Sequence, residues 1–334
     1  MSEELKQIAK AMVAPGKGIL AMDESHPTCG KRFKKLGIPE TEAMRQAYRD
    51  MLVTTTGLSD YISGAILFDE TIRQKLLDGT PFPEFLSANG IIPGIKVDAG
   101  AKVLAGHEDE KVTEGLDGLR DRLAEYYAMG ARFSKWRAVI TIGDNIPTMA
   151  CLEANAHGLA RYAKLSQEAG IVPIVEPEVL MDGSHSIEQS YQVTELAQRM
   201  TFQQLHTQGV LMEGMVLKPS MVISGADAAN RADVETVAQQ TVRCLMHTVP
   251  AAVPGIAFLS GGQSDTEASA HLSAMHNLGI DLPWNLTFSY GRALQQAAMS
   301  TWGGDTANVA AAQAVLLERA RCNGKAALGE YSPD

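Results

Sequence analysis

Eight short apolar runs are distributed along the whole chain, and each is followed by a helical pattern. Each run follows a glycine or proline signal and is rich in β-branched or other apolar residues, as buried strands are. Eight strands that alternate with helices predict a closed (β/α)8 TIM barrel, here with an extra helix at the N-terminus. The runs are residues 18–23, 64–69, 94–98, 131–140, 171–179, 215–223, 255–259 and 285–290.

The segments between the runs carry the start and stop signals of helices. Apolar residues recur with helical spacing from Leu116 to Tyr126, and Gly130 then has the position of a residue that ends a helix. Two Ser-x-x-Gln/Glu sequences have the spacing of a capping box. Helices are therefore predicted to begin directly after Ser186 and Ser264.

An open doubly wound sheet is the alternative fold. In such a sheet a glycine-rich phosphate-binding turn follows the first strand, whereas here the glycine-bearing turns follow the seventh and eighth runs. The length of 334 residues would allow two domains, but α/β barrels of this size commonly form one. Since no linker or low-complexity segment interrupts the sequence, we expect residues 1–334 to form a single barrel domain.

The composition excludes several classes of protein. Apolar residues make up 45% of the chain and charged residues 20%, a balance that allows a large core and excludes intrinsic disorder. The formal net charge of −10 argues against non-specific binding of nucleic acid, which needs clustered cations. The sequence shows no secretory signal, no apolar run of the ~18 residues that span a bilayer, and no paired cysteine motif. We expect a cytoplasmic protein with reduced thiols that binds neither nucleic acid nor a membrane.

Charged residues interrupt the apolar runs near their carboxyl ends, where barrel enzymes place their chemistry. A Lys or Glu on a half-buried strand is usually solvated, but parallel barrel strands offer few such positions. Alternation along a strand places residues i and i+2 on one face, so charged pairs in the fourth and fifth runs can both point into the barrel mouth. The candidates are Asp23, Lys96, Lys135, Arg137, Glu176, Glu178 and Lys218.

Lys218 is the candidate nucleophile. It precedes Pro219, which favours extended backbone at Lys218 and so keeps it in line with the strand. Burial and a neighbouring cation such as Lys135 favour the neutral, nucleophilic form of an amine. A lone lysine in a strand more often snorkels or forms an ion pair, but the carboxylates and the second lysine nearby favour Schiff-base chemistry.

Two glycine-bearing stretches predict an anion site. They are Leu-Ser-Gly-Gly at 259–262 and Ser-Tyr-Gly-Arg at 289–292, and both lead into predicted helices. Free backbone N–H groups, a helix N-terminus and an arginine suit a phosphate, which TIM barrels often bind after the seventh and eighth strands. Ser-Gly-Gly is by itself also typical of a simple turn, so the prediction depends on its place in the strand order.

Metal and serine-hydrolase chemistry are both disfavoured. No HExxH or similar ligand motif is present, and no histidine lies in a predicted strand, so we expect no metal site. Solvated or helix-surface positions are expected for His185, His206, His271 and His276. The GxSxG sequence of a nucleophilic serine is also absent.

Several long segments resemble class I fructose-1,6-bisphosphate aldolase. The resemblance runs in the same order from about Lys17 to Tyr331, nearly the whole chain. It is carried by GILAMDES, GIKVDAG, FSKWR, IVPIVEPEVLMDG, LKPSMV, FLSGGQS and LTFSYGRALQ. The resemblance implies a lyase that reversibly cleaves fructose 1,6-bisphosphate to dihydroxyacetone phosphate and glyceraldehyde 3-phosphate in glycolysis and gluconeogenesis. It further implies a homotetramer that needs no metal or other cofactor.

The same resemblance implies the catalytic roles. Lys218 matches the lysine that forms the Schiff base with the substrate ketone, and Glu176 matches the general acid and base. Asp23 corresponds to the aspartate that orients substrate hydroxyls, while Lys135 and Glu178 correspond to a charge network that tunes the lysine.

Phosphate-binding roles also follow from the resemblance. One phosphate is assigned to residues after the seventh and eighth runs, the other to residues near the first and third, and Arg137 matches a further arginine of the site. The first group is Ser260, Gly261, Gly262, Ser289, Gly291 and Arg292, and the second is Ser25, Arg32 and Lys96.

Two places depart from the family pattern. Animal members have a mobile C-terminal tail whose final tyrosine assists proton exchange, but Tyr331 matches an earlier tail position. We therefore expect Glu176 or a water molecule to protonate the enamine. In the second place, residues 26–29 read His-Pro-Thr-Cys instead of small hydroxyl-bearing and glycine residues, so Thr28 is expected to supply a hydroxyl there.

Two other functions remain as alternatives. One is a Schiff-base lyase on the same barrel that acts on a different phosphorylated sugar. The other is a non-catalytic scaffold, which has no need of Lys218, Glu176 and Asp23 together.

Overall fold

The eight predicted runs form the strands of a closed parallel barrel in the computed structural model, which describes residues 2–332. Each barrel strand pairs in parallel with the barrel strands before and after it, and the last pairs with the first. The predicted (β/α)8 TIM barrel is thus confirmed. The strands are β1 (Gly18–Ala21), β2 (Ile62–Leu67), β3 (Ile92–Lys96), the hairpin of β4 (Gly100–Leu104) and β5 (His107–Glu114) outside the barrel, β6 (Phe133–Ile140), β7 (Val172–Val179), β8 (Val216–Leu217), β9 (Gly255–Phe258) and β10 (Asn285–Tyr290).

Helices surround the barrel, and the predicted extra helix lies at the N-terminus. No helix within residues 2–332 is both long and apolar enough to cross a membrane. The helices are α1 (Ser2–Met12), α2 (His26–Lys35), α3 (Glu42–Val53), α4 (Asp69–Arg73), α5 (Phe82–Ala88), α6 (Leu119–Ala128), α7 (Met149–Glu168), α8 (Ile187–Thr207), α9 (Val234–Thr248), α10 (Asp265–His276), α11 (Arg292–Trp302) and α12 (Val309–Ala326).

The predicted helix boundaries hold where a side chain caps the helix. Ser186 and Ser264 each accept a hydrogen bond from the backbone N–H three residues later, and the reciprocal bond of a capping box is also present. Gly130 has a left-handed φ of 106° two residues after α6 ends. Satisfying the free backbone groups at these ends stabilises the helices that follow or precede the site loops.

Two elements differ from the sequence predictions. The hairpin of β4 and β5 lies where no strand is predicted, because charged residues interrupt its apolar positions. The sixth barrel strand, β8, ends at Leu217 although the predicted run continues to 223, since Pro219 has no N–H to donate to a ladder. The backbone N–H of Lys218 still donates to the carbonyl of Val175 at 2.8 Å, so Lys218 continues the line of the strand.

Apolar side chains fill the N-terminal half of the barrel. Helix α1 closes this end, where Leu5 and Met12 join a cluster with Ile19, Phe133 and Val172 from the strands. Because this end is filled and covered, the buried charged side chains of the strands lie at the opposite, C-terminal end.

Replacing Gly94 with alanine is expected to destabilise the barrel by about 1–3 kcal/mol. A Cβ atom at Gly94 would lie 2.2 Å from ring atoms of Phe133, and one at Gly64 would lie 2.9 Å from the same ring. The ring is thus enclosed by two glycines. Thermal unfolding followed by circular dichroism measures the loss as a lower Tm.

Gly158→Ala in α7 is the matched control for this change. No heavy atom lies within 4 Å of the Cβ position at Gly158, and alanine favours a helix over glycine by about 0.5–1 kcal/mol. G158A is therefore expected to unfold at an equal or higher temperature than the wild-type protein. A Tm for G94A at or above the wild-type value would contradict the packing described for Phe133.

Candidate active site

Four charged side chains that the sequence singles out lie together at the C-terminal mouth of the barrel. Nζ of Lys218 lies 3.3 Å from Oε1 of Glu176, and Nζ of Lys135 lies 3.3 Å from Oε2 of the same carboxylate. Lys135 also donates to Oδ2 of Asp23 at 2.7 Å. Each of these residues is less than one-tenth exposed. The two amines and two carboxylates form one buried cluster.

Strand order explains how this cluster assembles. Lys135 lies on β6, Glu176 on the neighbouring β7, and Lys218 directly after β8, which pairs with β7. Asp23 follows β1 and reaches the cluster from across the barrel mouth. The carboxyl ends of parallel strands converge there, so residues distant in sequence come within hydrogen-bonding distance.

The charges of the cluster stabilise one another. Burial alone would raise the pKa of Asp23, but Lys135 and Lys218 outweigh it and lower the pKa to about 2. The same two lysines outweigh burial at Glu176 and lower its pKa. Burial would lower the pKa of Lys135, but the two carboxylates raise it. Near neutral pH both carboxylates are therefore ionised and Lys135 is protonated.

Glu178 pairs with Arg137, not with either lysine of the cluster. Among the described residues, the ion pair of Glu178 is with Nε of Arg137. The Arg137 guanidinium in turn helps to lower the pKa of Glu176, after the larger effects of burial and the two lysines. Glu178 is thus linked to the cluster indirectly, through one arginine.

Two acidic residues of the site were missed by the sequence analysis. Asp98 accepts from Nζ of Lys96 at 2.5 Å and from the backbone N–H of Arg137 at 3.3 Å. Glu24 accepts from Arg32 at 2.5 Å. Asp98 is the last residue of the third predicted run and Glu24 follows the first, so the strand-end rule that found their neighbours also applies to them.

The two glycine-bearing stretches meet at the same, C-terminal end of the barrel. Gly261 and Gly262 have left-handed φ values of 52° and 108°, and a Cβ at Gly262 would lie 3.7 Å from Nη2 of Arg292. Within residues 2–332, the backbone N–H groups of both glycines donate no hydrogen bond. Oγ of Ser289 is buried and also lacks a partner in that range. Free donors and a guanidinium in one place suit a phosphate.

The predicted second anion group is not held together by direct contacts. The Ser25 and Thr28 hydroxyls lie 3.1 Å apart at the start of α2. Arg32 lies on the same helix, and a Cβ at Gly291 would be 4.0 Å from its Nη2. Lys96 is on β3, and no contact between described residues joins it to Ser25 or Arg32. Arg32 thus lies next to the stretch after β10.

The prediction of solvated or helix-surface histidines is wrong for His185 and His271, which are both buried. Nδ1 of His271 lies 2.7 Å from Oε1 of Gln263, and burial lowers the pKa of His271 to about 4. His206 is exposed on α8 as expected. Among residues 2–332, no group of three or more His, Cys, Asp or Glu side chains is arranged to hold a metal ion, and the four cysteines are free thiols.

Comparison with known proteins supports the resemblance over the full length of the chain. The family model for class I fructose-bisphosphate aldolase matches residues 4–334. The chain is 62% identical to a Xanthomonas axonopodis pv. citri protein described as probable fructose-bisphosphate aldolase class 1, over 98% of both chains. It is 52% identical to cytosolic fructose-bisphosphate aldolase 5 of Arabidopsis thaliana, over 99% of this chain and 92% of that one.

A solved structure agrees with the sequence matches. The Plasmodium falciparum fructose-bisphosphate aldolase, solved in complex with TRAP and a small-molecule inhibitor, superposes with a TM-score of 0.97. It is 48% identical in sequence, and the match covers all of this chain and 96% of that one. With its fold, its buried lysine–glutamate cluster and its full-length sequence matches, the chain belongs to the class I fructose-bisphosphate aldolase family.

Proposed function

We propose that Lys218 forms a Schiff base with the ketone of fructose 1,6-bisphosphate, and that Glu176 moves the protons of the reaction. The reaction is the metal-independent, reversible cleavage to dihydroxyacetone phosphate and glyceraldehyde 3-phosphate, which serves glycolysis and gluconeogenesis. The observation that carries the proposal is the buried amine of Lys218 held 3.3 Å from the carboxylate of Glu176. A buried amine beside a proton acceptor is the arrangement that covalent amine catalysis needs.

The first half of the reaction forms the iminium. The neutral amine of Lys218 attacks the C2 carbonyl, and the resulting carbinolamine loses its hydroxyl as water when Glu176 supplies a proton. For this step Glu176 must first hold a proton, and Lys218, whose Nζ lies 3.3 Å away, supplies it. Transfer of this proton from Lys218 to Glu176 gives the neutral amine needed for attack and the protonated acid needed for dehydration.

The second half breaks the bond between C3 and C4. Glu176, again ionised, takes the proton of the C4 hydroxyl, the bonding electrons move toward the iminium, and an enamine and an aldehyde result. Asp23 orients substrate hydroxyls. Protonation of the enamine at C3 by Glu176 or a water molecule, followed by hydrolysis, releases dihydroxyacetone phosphate and the free lysine.

The charge order of the cluster suits these transfers. Glu176 is kept ionised by two cations, Lys135 and Lys218. When Lys218 becomes a neutral amine or carbinolamine, one cation is lost and the proton affinity of Glu176 rises. Lys135 remains protonated because Asp23 and Glu176 raise its pKa, so it supplies a fixed positive charge during the cycle.

The anion sites hold the two ends of the substrate. We assign one phosphate to the turn after β9 and to residues 289–292 at the end of β10, where the N–H groups of Gly261 and Gly262 and the Ser289 hydroxyl are donors unpartnered among the described residues and suit a dianion. The other phosphate is assigned to Lys96, Ser25 and Arg32, with Arg137 as a further contact of the site. The lysine and arginine side chains gathered at the mouth of a chain of net charge −10 attract an anionic substrate to this end of the barrel.

Assembly, compartment and domain organisation are also proposals. We infer a homotetramer from the family resemblance, and sedimentation velocity tests it. The cytoplasm is the proposed compartment, supported by the cytosolic names of two Arabidopsis thaliana relatives. Residues 1–334 are proposed to form one domain, for which thermal unfolding in a single calorimetric transition is the expected result.

Borohydride trapping is expected to mark Lys218. The protein is incubated with dihydroxyacetone phosphate and EDTA, reduced, digested and analysed by mass spectrometry. Reduction of the imine leaves a stable secondary amine, and the modified peptide is expected to contain Lys218. Cleavage of the bisphosphate only after metal is added, with no adduct, would refute the Schiff-base mechanism.

The same experiment separates the alternative functions. A protein that neither forms an adduct nor cleaves the bisphosphate would favour the scaffold. A protein that forms the adduct but cleaves another phosphorylated sugar faster than fructose 1,6-bisphosphate would be a different Schiff-base lyase. Relative kcat/KM values on the mono- and bisphosphates decide between those two enzymes.

A further inference from the structure

The turn after β9 is held in place by a buried histidine that the proposed mechanism does not use. His271 comes from the middle of α10 and is 3% exposed, and its Nδ1 atom lies 2.7 Å from Oε1 of Gln263. Gln263 is 7% exposed and is the last residue of the turn that contains Gly261 and Gly262. Since the Gln263 oxygen is an acceptor, Nδ1 of His271 carries the proton and donates.

Gln263 connects this turn to the segment that carries the nucleophile. Its backbone N–H donates to the carbonyl of Ser260 at 2.8 Å, which closes the turn. Its side-chain Nε2 lies 3.6 Å from the sulfur of Met221, a buried residue three positions after Lys218. The side chain of Gln263 is therefore fixed at both ends, by His271 on one side and by Met221 on the other.

The turn needs such support because of its own backbone. Gly261 and Gly262 are adjacent, both have left-handed φ values, and glycine is the most flexible residue. Their free N–H groups bind an anion tightly only if they already face the binding position in the free protein, because ordering them at each binding event would cost free energy.

The imidazole of His271 stays in one protonation state. Burial lowers its pKa to about 4, against the opposing effect of Glu267 and with a further lowering by Arg231. At neutral pH the ring is therefore uncharged, and its single proton lies on Nδ1, where Gln263 accepts it.

We propose that His271 is a positioning residue for the substrate phosphate, acting through Gln263. Its hydrogen bond fixes the turn from Ser260 to Gln263 so that the N–H groups of Gly261 and Gly262 face the phosphate. His271 itself touches neither the substrate nor the cluster around Lys218. The inference rests on the proposed function, because it assumes that this turn binds a phosphate.

The test compares His271→Leu with His271→Asn. Leucine removes the donor and leaves a buried amide oxygen without a partner. The amide nitrogen of asparagine lies as many bonds from Cα as Nδ1 of histidine does, so H271N can restore the hydrogen bond. The readout is the concentration that half-saturates borohydride trapping on Lys218, measured with dihydroxyacetone phosphate and with dihydroxyacetone.

H271L is expected to raise the half-saturating concentration of dihydroxyacetone phosphate about tenfold, the effect of losing one buried hydrogen-bond donor. The half-saturating concentration of dihydroxyacetone is expected to change less than about twofold, a small effect, because dihydroxyacetone has no phosphate for the turn to bind. H271N should recover most of the lost affinity. In cleavage of fructose 1,6-bisphosphate, KM should rise while kcat is retained.

Arg292→Gln separates a failure of this inference from a failure of the proposed phosphate site. One outcome is that R292Q weakens binding of dihydroxyacetone phosphate but not of dihydroxyacetone, while H271L changes the half-saturating concentrations of both ketones alike or of neither. In that case His271 has only a structural role and the inference is overturned. If R292Q also fails to discriminate the two ketones, the phosphate does not bind at this turn, and the inference is overturned together with that part of the proposed function.

Discussion

Lys218→Met is expected to lower kcat/KM for cleavage of fructose 1,6-bisphosphate by about 10⁴- to 10⁶-fold, the loss seen when a covalent nucleophile is removed. Methionine has nearly the length of lysine and adapts to buried sites, so the barrel should remain folded. No imine can form, and the electrons of the breaking bond then have no acceptor. A coupled assay of triose phosphate release measures the rate, and borohydride should yield no adduct.

Lys218→Arg separates the role of the nucleophile from that of the charge. Arginine keeps a cation beside Glu176, which preserves the electrostatic order of the cluster, but its guanidinium stays protonated and does not attack a ketone. K218R is expected to be as inactive as K218M. Lys10→Met on the exposed side of α1 is the control for loss of a lysine and should retain full activity. If K218R kept a substantial part of wild-type activity, the covalent role assigned to Lys218 would be wrong.

The fold could be predicted well because barrel strands are buried on both faces. Their apolar runs are continuous and short, and they are separated by helices with their own caps. The apolar pattern and the capping residues therefore indicate the same element boundaries. The hairpin at 100–114 could not be found in this way, because it lies outside the barrel and its charged residues interrupt the apolar pattern. The early end of β8 depends on one residue, Pro219, whose effect on the ladder is local.

The candidate site was predictable to the extent that strand ends determine it. Lys135, Glu176 and Lys218 meet because neighbouring strands bring them to one edge, which strand order predicts. Strand order does not predict which charged side chains form ion pairs, because the pairing depends on side-chain rotamers. Glu178 on β7 was expected to act with Lys135, yet the structure pairs it with Arg137.

The burial of His271 follows from the residue spacing along α10. Ala268, His271, Leu272 and Met275 follow the i, i+3, i+4, i+7 pattern of one helix face, and all four are buried. A histidine within such a pattern lies on the core side of its helix. His185 has no comparable signal, because it lies in a loop after β7 whose burial depends on how neighbouring loops pack.

Glu176→Gln is expected to lower kcat by about 10²- to 10⁴-fold, the range for loss of a general acid or base. Glutamine has the shape of glutamate but neither accepts nor supplies the proton at the amine, the carbinolamine and the C4 hydroxyl. Both carbinolamine dehydration and bond cleavage should therefore slow. Rapid mixing with dihydroxyacetone phosphate followed by borohydride at timed intervals should show slower formation of the Lys218 adduct, while K218M shows none.

Glu178→Gln is the matched comparison, because it removes the same charge two residues further along the same face of β7. The carboxylate of Glu176 lies 3.3 Å from both lysines, whereas that of Glu178 pairs with Arg137. Since E178Q leaves the proton path between Glu176 and Lys218 intact, its kcat should fall much less, by about tenfold, the size of an indirect electrostatic effect. Equal losses in E176Q and E178Q would mean that Glu178 acts on Lys218 directly. The pairing of Glu176 with Lys218 and of Glu178 with Arg137 would then not hold during the reaction.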